Sequence, residues 1–545
     1  MRTRIPKKLA ADIGYENLEE FGIEEQTYGE TYHEVELEKL SAESVATLRA
    51  LVGDSSERGA KRVLGDIDAW RRVLGGLDSG TCRGVNHFYA AARVLLENAA
   101  GHRVYMAGDT EAVCAYYVNE IEYHAAYRGS SGVVPEHVTI ELRYRDFGVI
   151  HKKTLTFEES DVRGLSAEGA LVQAGVQIET AALRATYLHH HARWEVLVDR
   201  VGLQLEAVGY GTDDLDGNAK RRDGWWSART NKIRLDRDAP SRVVVDVFQE
   251  DDNESRRDRD AHIEVFFWHD ADDERPEIEI PVHPYLACFD LRRHVRLRIH
   301  VEYVTEYVYR TNLSDNLILP DKVKSFVELL LSSKSAFQDI VAGKGAGMVV
   351  LCAGPSGTGK TLTAEVYAES RSRPLYSVQA SQLGTDPDVL EDELLKVFAR
   401  AARWNAIALI DEADVYIRSR GDDLQQNAIV GVFLRVLEYY QGVLFCTTNR
   451  ADVVDDAIAS RCVARIDYDV PERPARARLW RTLARVAGIA LDDALAEELS
   501  HIPATGRDIK MLLKLASLAA RDAPISKETV DYVRVFKPTT SPGAA

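Results

Sequence analysis

The chain has 545 residues, with 68 Lys or Arg against 86 Asp or Glu, which gives a formal charge of −18. At roughly 150 residues per domain this length predicts several domains, and the acidic balance excludes a protein whose whole surface coats nucleic acid or an anionic membrane. The six cysteines form no C-x-x-C pair, and neither a signal-type apolar segment nor a membrane-length apolar run is present. We therefore expect a cytoplasmic protein without a disulfide framework, zinc knuckle, signal peptide or membrane partner.

The N-terminal part of the chain mixes helix and strand patterns. Apolar residues recur at helical spacing in residues 40–52, whereas residues 137–157 alternate on both sides of an Arg-Asp-Phe-Gly turn and predict a hairpin. Residues 241–249 and 261–269 are apolar enough to predict two further strands. We expect a mostly helical or mixed region at 1–135 and a β-rich α+β domain at 136–312 that holds a substrate or adaptor.

The composition changes near residue 313. Short apolar segments at 348–354, 406–411 and 442–449 alternate with helical patterns, which predicts an α/β fold with a parallel sheet covered on both faces. From about residue 472 the pattern is entirely helical until the chain ends in a polar tail. The expected divisions are an α/β core at 313–470, a helical lid at 471–535 and a flexible tail at 536–545.

A glycine-rich loop follows the first of these strands and fits the pattern G-x-x-x-x-G-K-[ST]. In such a loop the glycines let main-chain N–H groups face phosphates, the lysine reaches the β- and γ-phosphates, and the last hydroxyl can bind Mg²⁺. A purely structural glycine turn is the alternative, which the strand before the loop and the helix after it disfavour. The predicted nucleotide-binding residues are Gly354, Pro355, Ser356, Gly357, Thr358, Gly359, Lys360, Thr361 and Leu362.

Two acids end the second apolar strand. Carboxyl ends of parallel strands meet at the edge where ligands bind, so we expect Asp411 to complete the Mg²⁺ shell with Thr361. Glu412 would polarise the attacking water. An exposed acid pair at a strand end is the alternative, and the nearby phosphate loop makes it the weaker one.

Three polar residues further along are candidates for the same site. Asn449 ends the third strand and could orient the water, unless it is an ordinary turn asparagine. Arg461 could stabilise transition-state charge, most plausibly in a neighbouring subunit, or form a surface ion pair. Arg507 opens a helix of the C-terminal bundle and could contact the phosphates, or could face solvent.

Together these motifs give residues 313–525 a resemblance to the AAA-type P-loop ATPases. The matching segments are GPSGTGKT, IALIDEAD, TTNR, the Ser460-Arg461 pair and GRDI at 506–509. The resemblance implies ATP and Mg²⁺ as ligands, a homo-hexameric ring, a neighbour's Arg461 at each site, and Asp339 and Ile340 beside the adenine. The branch that it resembles carries a large N-terminal region of unassigned role.

Two positions depart from the family pattern. Many AAA modules have a second arginine three residues after the first, where this chain has Ala464 followed by Arg465. Members that thread polypeptide place an aromatic residue in the first pore loop, where this chain has Leu383. Because of the first departure, Arg461 would act as the arginine finger without a second arginine at the usual position. The second departure weakens the expectation that polypeptide is threaded through a central pore.

Three functions fit the sequence. They are ATP-driven remodelling or disassembly of a protein held by residues 1–312, a nucleic-acid-associated ATPase, and a nucleotide-gated scaffold with little turnover. The acidic charge disfavours the second, and the presence of Glu412 and Arg461 disfavours the third.

The tract His189–His191 is by itself a poor metal site, because adjacent side chains point in different directions. Trp225 and Trp226 beside basic residues could stack on bases, although loop anchors are the simpler interpretation.

Overall fold

The computed structural model describes most of the chain, and the predicted strand at 261–269, the two tryptophans at 225–226, Asp339 and Ile340 lie outside the described residues. Among the described helices none is both long and apolar enough to cross a lipid bilayer. The described residues are 2–21, 23, 32–37, 40–55, 60, 63–64, 67, 70–71, 81–97, 102–129, 132–213, 232–246, 280–318, 324–326, 328–329, 347–420, 423–450, 454–521 and 523–536.

A five-stranded antiparallel sheet forms the centre of the N-terminal region, in the order β8-β7-β4-β3-β9. The predicted hairpin is confirmed, since β7 pairs with β8 from Val138 to Asp146. The sheet runs across residue 135, where we expected a boundary, because β4 on one side pairs with β7 on the other. The elements are β1 Arg2–Pro6, α1 Lys7–Ile13, β2 Tyr32–Glu36, α2 Ala42–Gly53, α3 Val85–Glu97, β3 Arg103–Ala107, β4 Val113–His124, β5 Tyr127–Gly129, β6 Gly132–Val134, β7 His137–Asp146, β8 Val149–Phe157, α4 Glu159–Val162, α5 Ala167–Gln173 and β9 Gln177–Ile178.

A seven-stranded antiparallel sheet follows, in the order β12-β11-β15-β14-β13-β10-β16. Helix α6 lies against this sheet, where the indole N–H of Trp194 donates a hydrogen bond to the carbonyl oxygen of Tyr285 at 2.9 Å. The buried Arg298 joins the two sheets through ion pairs with Asp109 and Asp146. The elements are α6 Ala181–Leu197, β10 Gln204–Ala207, β11 Gly209–Thr212, β12 Lys232–Leu235, β13 Ser241–Val245, β14 Tyr285–Asp290, β15 Val295–His300 and β16 Val304–Glu306.

A five-stranded parallel sheet, in the order β18-β19-β20-β17-β21, confirms the predicted α/β class. Successive residues of β17 point to opposite faces, so that Val350 packs with helix α7 and Val349 packs with α9 and α11. The three predicted strands are confirmed as β17, β19 and β20. The elements are β17 Met348–Ala353, α7 Lys360–Ser370, β18 Leu375–Gln379, α8 Ala380–Leu383, α9 Pro387–Arg403, β19 Ile407–Asp411, α10 Asp414–Ile417, α11 Leu424–Tyr439, β20 Val443–Thr448, α12 Asp456–Arg461 and β21 Ala464–Asp467.

Four helices complete the described chain around a separate apolar core that contains the fully buried Trp480. The third of them starts with a capping box, in which Thr505 and Asp508 each bond the other's main-chain N–H. This cap fixes the helix start that carries Arg507. The helices are α13 Arg473–Val486, α14 Asp493–Leu499, α15 Gly506–Ala520 and α16 Lys527–Arg534.

The seven-stranded sheet is joined to the parallel-sheet core by buried polar contacts. Glu369, on the helix that follows the glycine-rich loop, accepts hydrogen bonds from Arg242, Tyr307 and the main-chain N–H of Arg310. On helix α9, Arg403 makes a two-pronged ion pair with Asp246 at 2.7 and 2.8 Å. Phe289 adds ring contacts with Tyr376 and Trp404. The N-terminal region is therefore anchored to helices α7 and α9, which pack on opposite faces of the parallel sheet.

Candidate functional site

The glycine-rich loop joins β17 to α7 and needs its glycines. Gly354 has a φ of 145°, and an added Cβ there would lie 2.1 Å from the carbonyl oxygen of Tyr468. Gly357 has a φ of 80°, and its Cβ would lie 2.8 Å from the hydroxyl of Thr505 in the helical bundle. Within the loop the hydroxyl of Thr358 donates to the carbonyl oxygen of Pro355 at 2.8 Å, and Leu362 is 48% exposed. Only glycine fits the two tight positions, and the bundle already contacts the loop.

Lys360 is only 7% exposed, and its amine lies inside this loop. Its Nζ donates hydrogen bonds to the carbonyl oxygens of Gly354 and Pro355 at 2.8 and 2.7 Å, and to Oδ1 of Asn449 at 2.9 Å. Burial lowers the pKa of this amine, although the charges of Asp411 and Asp414 oppose the shift. The structure thus brings the predicted lysine and the predicted asparagine into direct contact.

The two residues expected to hold Mg²⁺ also touch. The hydroxyl of Thr361 donates to Oδ1 of Asp411 at 2.9 Å. A hydroxyl and a carboxylate oxygen in contact are the hard oxygen donors that Mg²⁺ prefers, so the residues present fit this ion. The hydroxyl of Thr447, at the end of the neighbouring strand, donates to the same carboxylate oxygen.

Glu412 follows its strand in an unusual backbone conformation. Its φ is +56°, a left-handed value that a residue with a Cβ adopts only at a cost. Its main-chain N–H donates to the hydroxyl of Thr447 at 3.0 Å, and its side chain is exposed. The turn therefore directs an acid out of the sheet edge beside Asp411.

Asp414 is a site residue that our sequence analysis missed. Its Oδ1 accepts hydrogen bonds from the hydroxyl of Thr448 and, at 3.2 Å, from the main-chain N–H of Asn449. Asp414 thereby fixes the strand end from which the Asn449 side chain reaches Lys360. The sequence feature that could have indicated Asp414 is the segment IDEAD, in which it is the third acid and the first residue of the next helix.

The two arginines differ in their surroundings. Nη1 of Arg507 donates to the hydroxyl of Ser356 at 2.9 Å, so this residue contacts the loop from the helical bundle. Arg461 is exposed at the end of α12, where its Nη1 donates to the carbonyl oxygen of Ala457 and its Nη2 lies 4.0 Å from Oε2 of Glu438. Among the described residues, Arg461 makes no contact with the glycine-rich loop. Arg465 pairs with Asp467 at 2.9 Å.

Leu383, which we expected in the first pore loop, is 2% exposed and packs in the core. The hydroxyl of Tyr416 donates to the carbonyl oxygens of Ala380 and Gly384 on either side of it. This segment is therefore fixed to the module and does not project a side chain at Leu383.

Comparison with known proteins agrees with this geometry. Residues 350–470 match the family "ATPase family associated with various cellular activities (AAA)". The chain is 33% identical over 189 residues to "ATP-dependent zinc metalloprotease FtsH 3" of Sphaerobacter thermophilus, covering 31% of this chain and 37% of that protein. It is 29% identical over 202 residues to "Fidgetin-like protein 1" of Drosophila melanogaster, covering 34% and 38%.

A solved structure of the FIGL-1 AAA domain in complex with ADP aligns with 42% of this chain and 86% of that one, at 20% identity and a TM-score of 0.35. The similarity to the two curated relatives covers less than two-fifths of their length. The family match at residues 350–470 confirms the predicted resemblance to an AAA module, and it concerns the nucleotide-binding part of the chain.

Proposed function

We propose that this chain, which carries an AAA-type ATPase module, binds ATP with Mg²⁺, hydrolyses it in a homo-hexameric ring, and uses the energy to remodel a protein held by residues 1–312. The observation that carries the proposal is the contact of Lys360 with Asn449 beside the contact of Thr361 with Asp411. These are a cation, a neutral amide and two oxygen ligands at one sheet edge, as phosphoryl transfer requires.

Each side chain has a role in this proposal. When ATP binds, the amine of Lys360 replaces its hydrogen bonds to the loop carbonyl oxygens with hydrogen bonds to phosphate oxygens. Asn449 orients the attacking water without adding negative charge. Glu412, exposed beside Asp411, accepts a proton from the attacking water. Mg²⁺ held by Thr361 and Asp411 would neutralise charge on the phosphates.

The N-terminal region would receive the force. Glu369 and Arg403 tie the seven-stranded sheet to helices α7 and α9 of the module. Arg507 lies on the helical bundle and contacts the loop. If the bundle moves against the loop, the α/β core would pass that movement on to the N-terminal region, which is fixed to it. The proposal does not include threading at Leu383, because that residue is buried.

The test compares two variants of the full chain. Lys360→Ala should lose ATP binding, whereas Glu412→Gln should bind ATP and fail to hydrolyse it, as measured by nucleotide binding and phosphate release. Lys514→Ala, an exposed lysine on helix α15, is the matched control and should behave like the wild type. Tight ATP binding by Lys360→Ala would contradict the assignment of the loop.

The nature of the substrate is tested separately. Unfolded protein, single-stranded DNA and RNA are added in turn to the wild-type ATPase assay. Stimulation by protein supports the proposal, and stimulation by nucleic acid alone replaces it with the second function. ATP binding without any phosphate release would support the scaffold. Capture of proteins by the ATP-loaded Glu412→Gln variant would then identify the substrate.

A further inference from the structure

Three chain segments bring potential metal ligands together on the seven-stranded sheet, outside the AAA module. His190 lies on helix α6, His300 ends β15, and Glu302 lies in the single helical turn Val301–Tyr303. One ligand atom from each of the three lies within 4.8 Å of the others. The two imidazole rings are 5.1 Å apart and nearly perpendicular. Of the three consecutive histidines on α6, only His190 belongs to this group.

His300 is completely buried, yet its ring is not fully used by the surrounding protein. Nδ1 accepts a hydrogen bond from the main-chain N–H of Glu302 at 3.2 Å, and Nε2 has no hydrogen-bond partner among the described residues. An unpaired buried nitrogen is unfavourable, so the contacts of the surrounding protein do not by themselves account for a histidine here. Its other nitrogen, Nδ1, is the one that lies beside Glu302.

The local chemistry suits a neutral imidazole ligand. His300 is completely buried and His190 is half-buried, and such surroundings disfavour a charged imidazole. Nδ1 of His300 lies 3.8 Å from Oε2 of Glu302. With the ring proton on Nε2, the Nδ1 lone pair is available to a cation in place of the weak contact with the Glu302 N–H.

We propose that His190, His300 and Glu302 form a binding site for a transition-metal ion, with Zn²⁺ as the preferred ion. Two imidazoles and one carboxylate are a donor set that Zn²⁺ uses, and they leave a fourth position for water or another ligand. Ligand atoms around tetrahedral Zn²⁺ are about 3.3 Å apart, given bonds of about 2.0–2.1 Å. The separations in the group, which reach up to 4.8 Å, need to contract by up to about 1.5 Å. The exposed carboxylate of Glu302 and the half-buried ring of His190 would make this movement.

The surroundings tolerate the added charge. Two arginines act on this cluster, and both already have partners. Arg298 is paired with Asp109 and Asp146, and Arg193, on the same helix as His190, donates to the carbonyl oxygen of Val304. A bound ion would join helix α6 to the end of β15 and would therefore stabilise the seven-stranded sheet that contacts the AAA module.

The experiment titrates Zn²⁺ into the full chain, free of nucleotide and Mg²⁺, by calorimetry and by the thermal unfolding midpoint. Wild type and the control His189→Gln, which changes the adjacent exposed histidine, should bind Zn²⁺ equally and unfold at a higher temperature with it. His190→Gln and Glu302→Gln, both near the surface, should weaken binding about tenfold or more and lose the shift. Unchanged Zn²⁺ binding by both variants would overturn the proposal, and so would an equal loss in His189→Gln, which would assign binding to the histidine tract.

Discussion

The hydroxyl of Thr447 hydrogen-bonds both to Oδ1 of Asp411 and to the main-chain N–H of Glu412, the latter at 3.0 Å. Strands β19 and β20 are parallel neighbours, so the end of one strand fixes the two acids at the end of the next. The contact with Glu412 also supports the left-handed backbone at that residue. One buried hydroxyl thus sets the positions of the proposed metal ligand and the proposed base.

Thr447→Val keeps the shape of this side chain and removes its hydroxyl. A hydrogen bond to a charged group contributes about 1.5–3 kcal/mol, so we expect kcat for ATP hydrolysis to fall about tenfold or more. The KM for ATP should change less, because Lys360 and the loop are untouched. Thr154→Val, an exposed strand threonine on β8, is the control. Equal losses in the two variants would show that a general effect on folding is responsible.

The sequence was sufficient to predict which residues meet at the nucleotide-binding edge of the sheet, because the glycine-rich loop and the polar residues that end the strands are local patterns. It was insufficient for Thr447 and Asp414, whose roles depend on contacts between neighbouring strand ends. Strands β18 and β21 were not predicted, because LYSVQ and ARID are short and only half apolar. The boundary expected at residue 135 followed a change of local period, whereas β4 and β7 pair across it.

Arg461 is exposed, and its contacts with Ala457 and Glu438 do not reach the glycine-rich loop of its own chain, which suits a role in a neighbouring subunit. Arg461→Ala should therefore retain ATP binding and lose turnover by about 10³-fold or more, the range known for arginine fingers. Mixing it with Lys360→Ala subunits should restore part of the activity, because some sites then combine an intact lysine with a neighbour's intact arginine.

The matched control for that experiment is Arg465→Ala, whose guanidinium pairs with Asp467 on the same surface. Its turnover should remain within about twofold of the wild type, as is usual for exposed ion pairs. A mixture of Arg461→Ala and Lys360→Ala that stays inactive, although both variants assemble, would argue against a shared site.

The ion pair between Arg403 and Asp246 should hold the N-terminal region to the module. Removing one partner of a buried pair costs about 3–5 kcal/mol, so Arg403→Met should lower the thermal unfolding midpoint by several degrees and speed proteolysis between the two parts. Lys396→Met, which breaks an exposed pair with Glu393 on the same helix, should have little effect. Similar melting of the two variants would mean that the apolar contacts of Phe289 suffice.

The alkaline limit of activity should report the environment of Lys360. Burial lowers the pKa of its amine, and the charged fraction of a lysine falls as pH rises through its pKa. The alkaline limb of kcat/KM, which reflects the free enzyme, should therefore begin below the ordinary lysine pKa of about 10.4. Lys360→Arg keeps its charge throughout this range, so whatever activity it retains should lack that limb. If the limb persists unchanged in Lys360→Arg, another group causes it, and the burial of the lysine has no consequence for nucleotide capture.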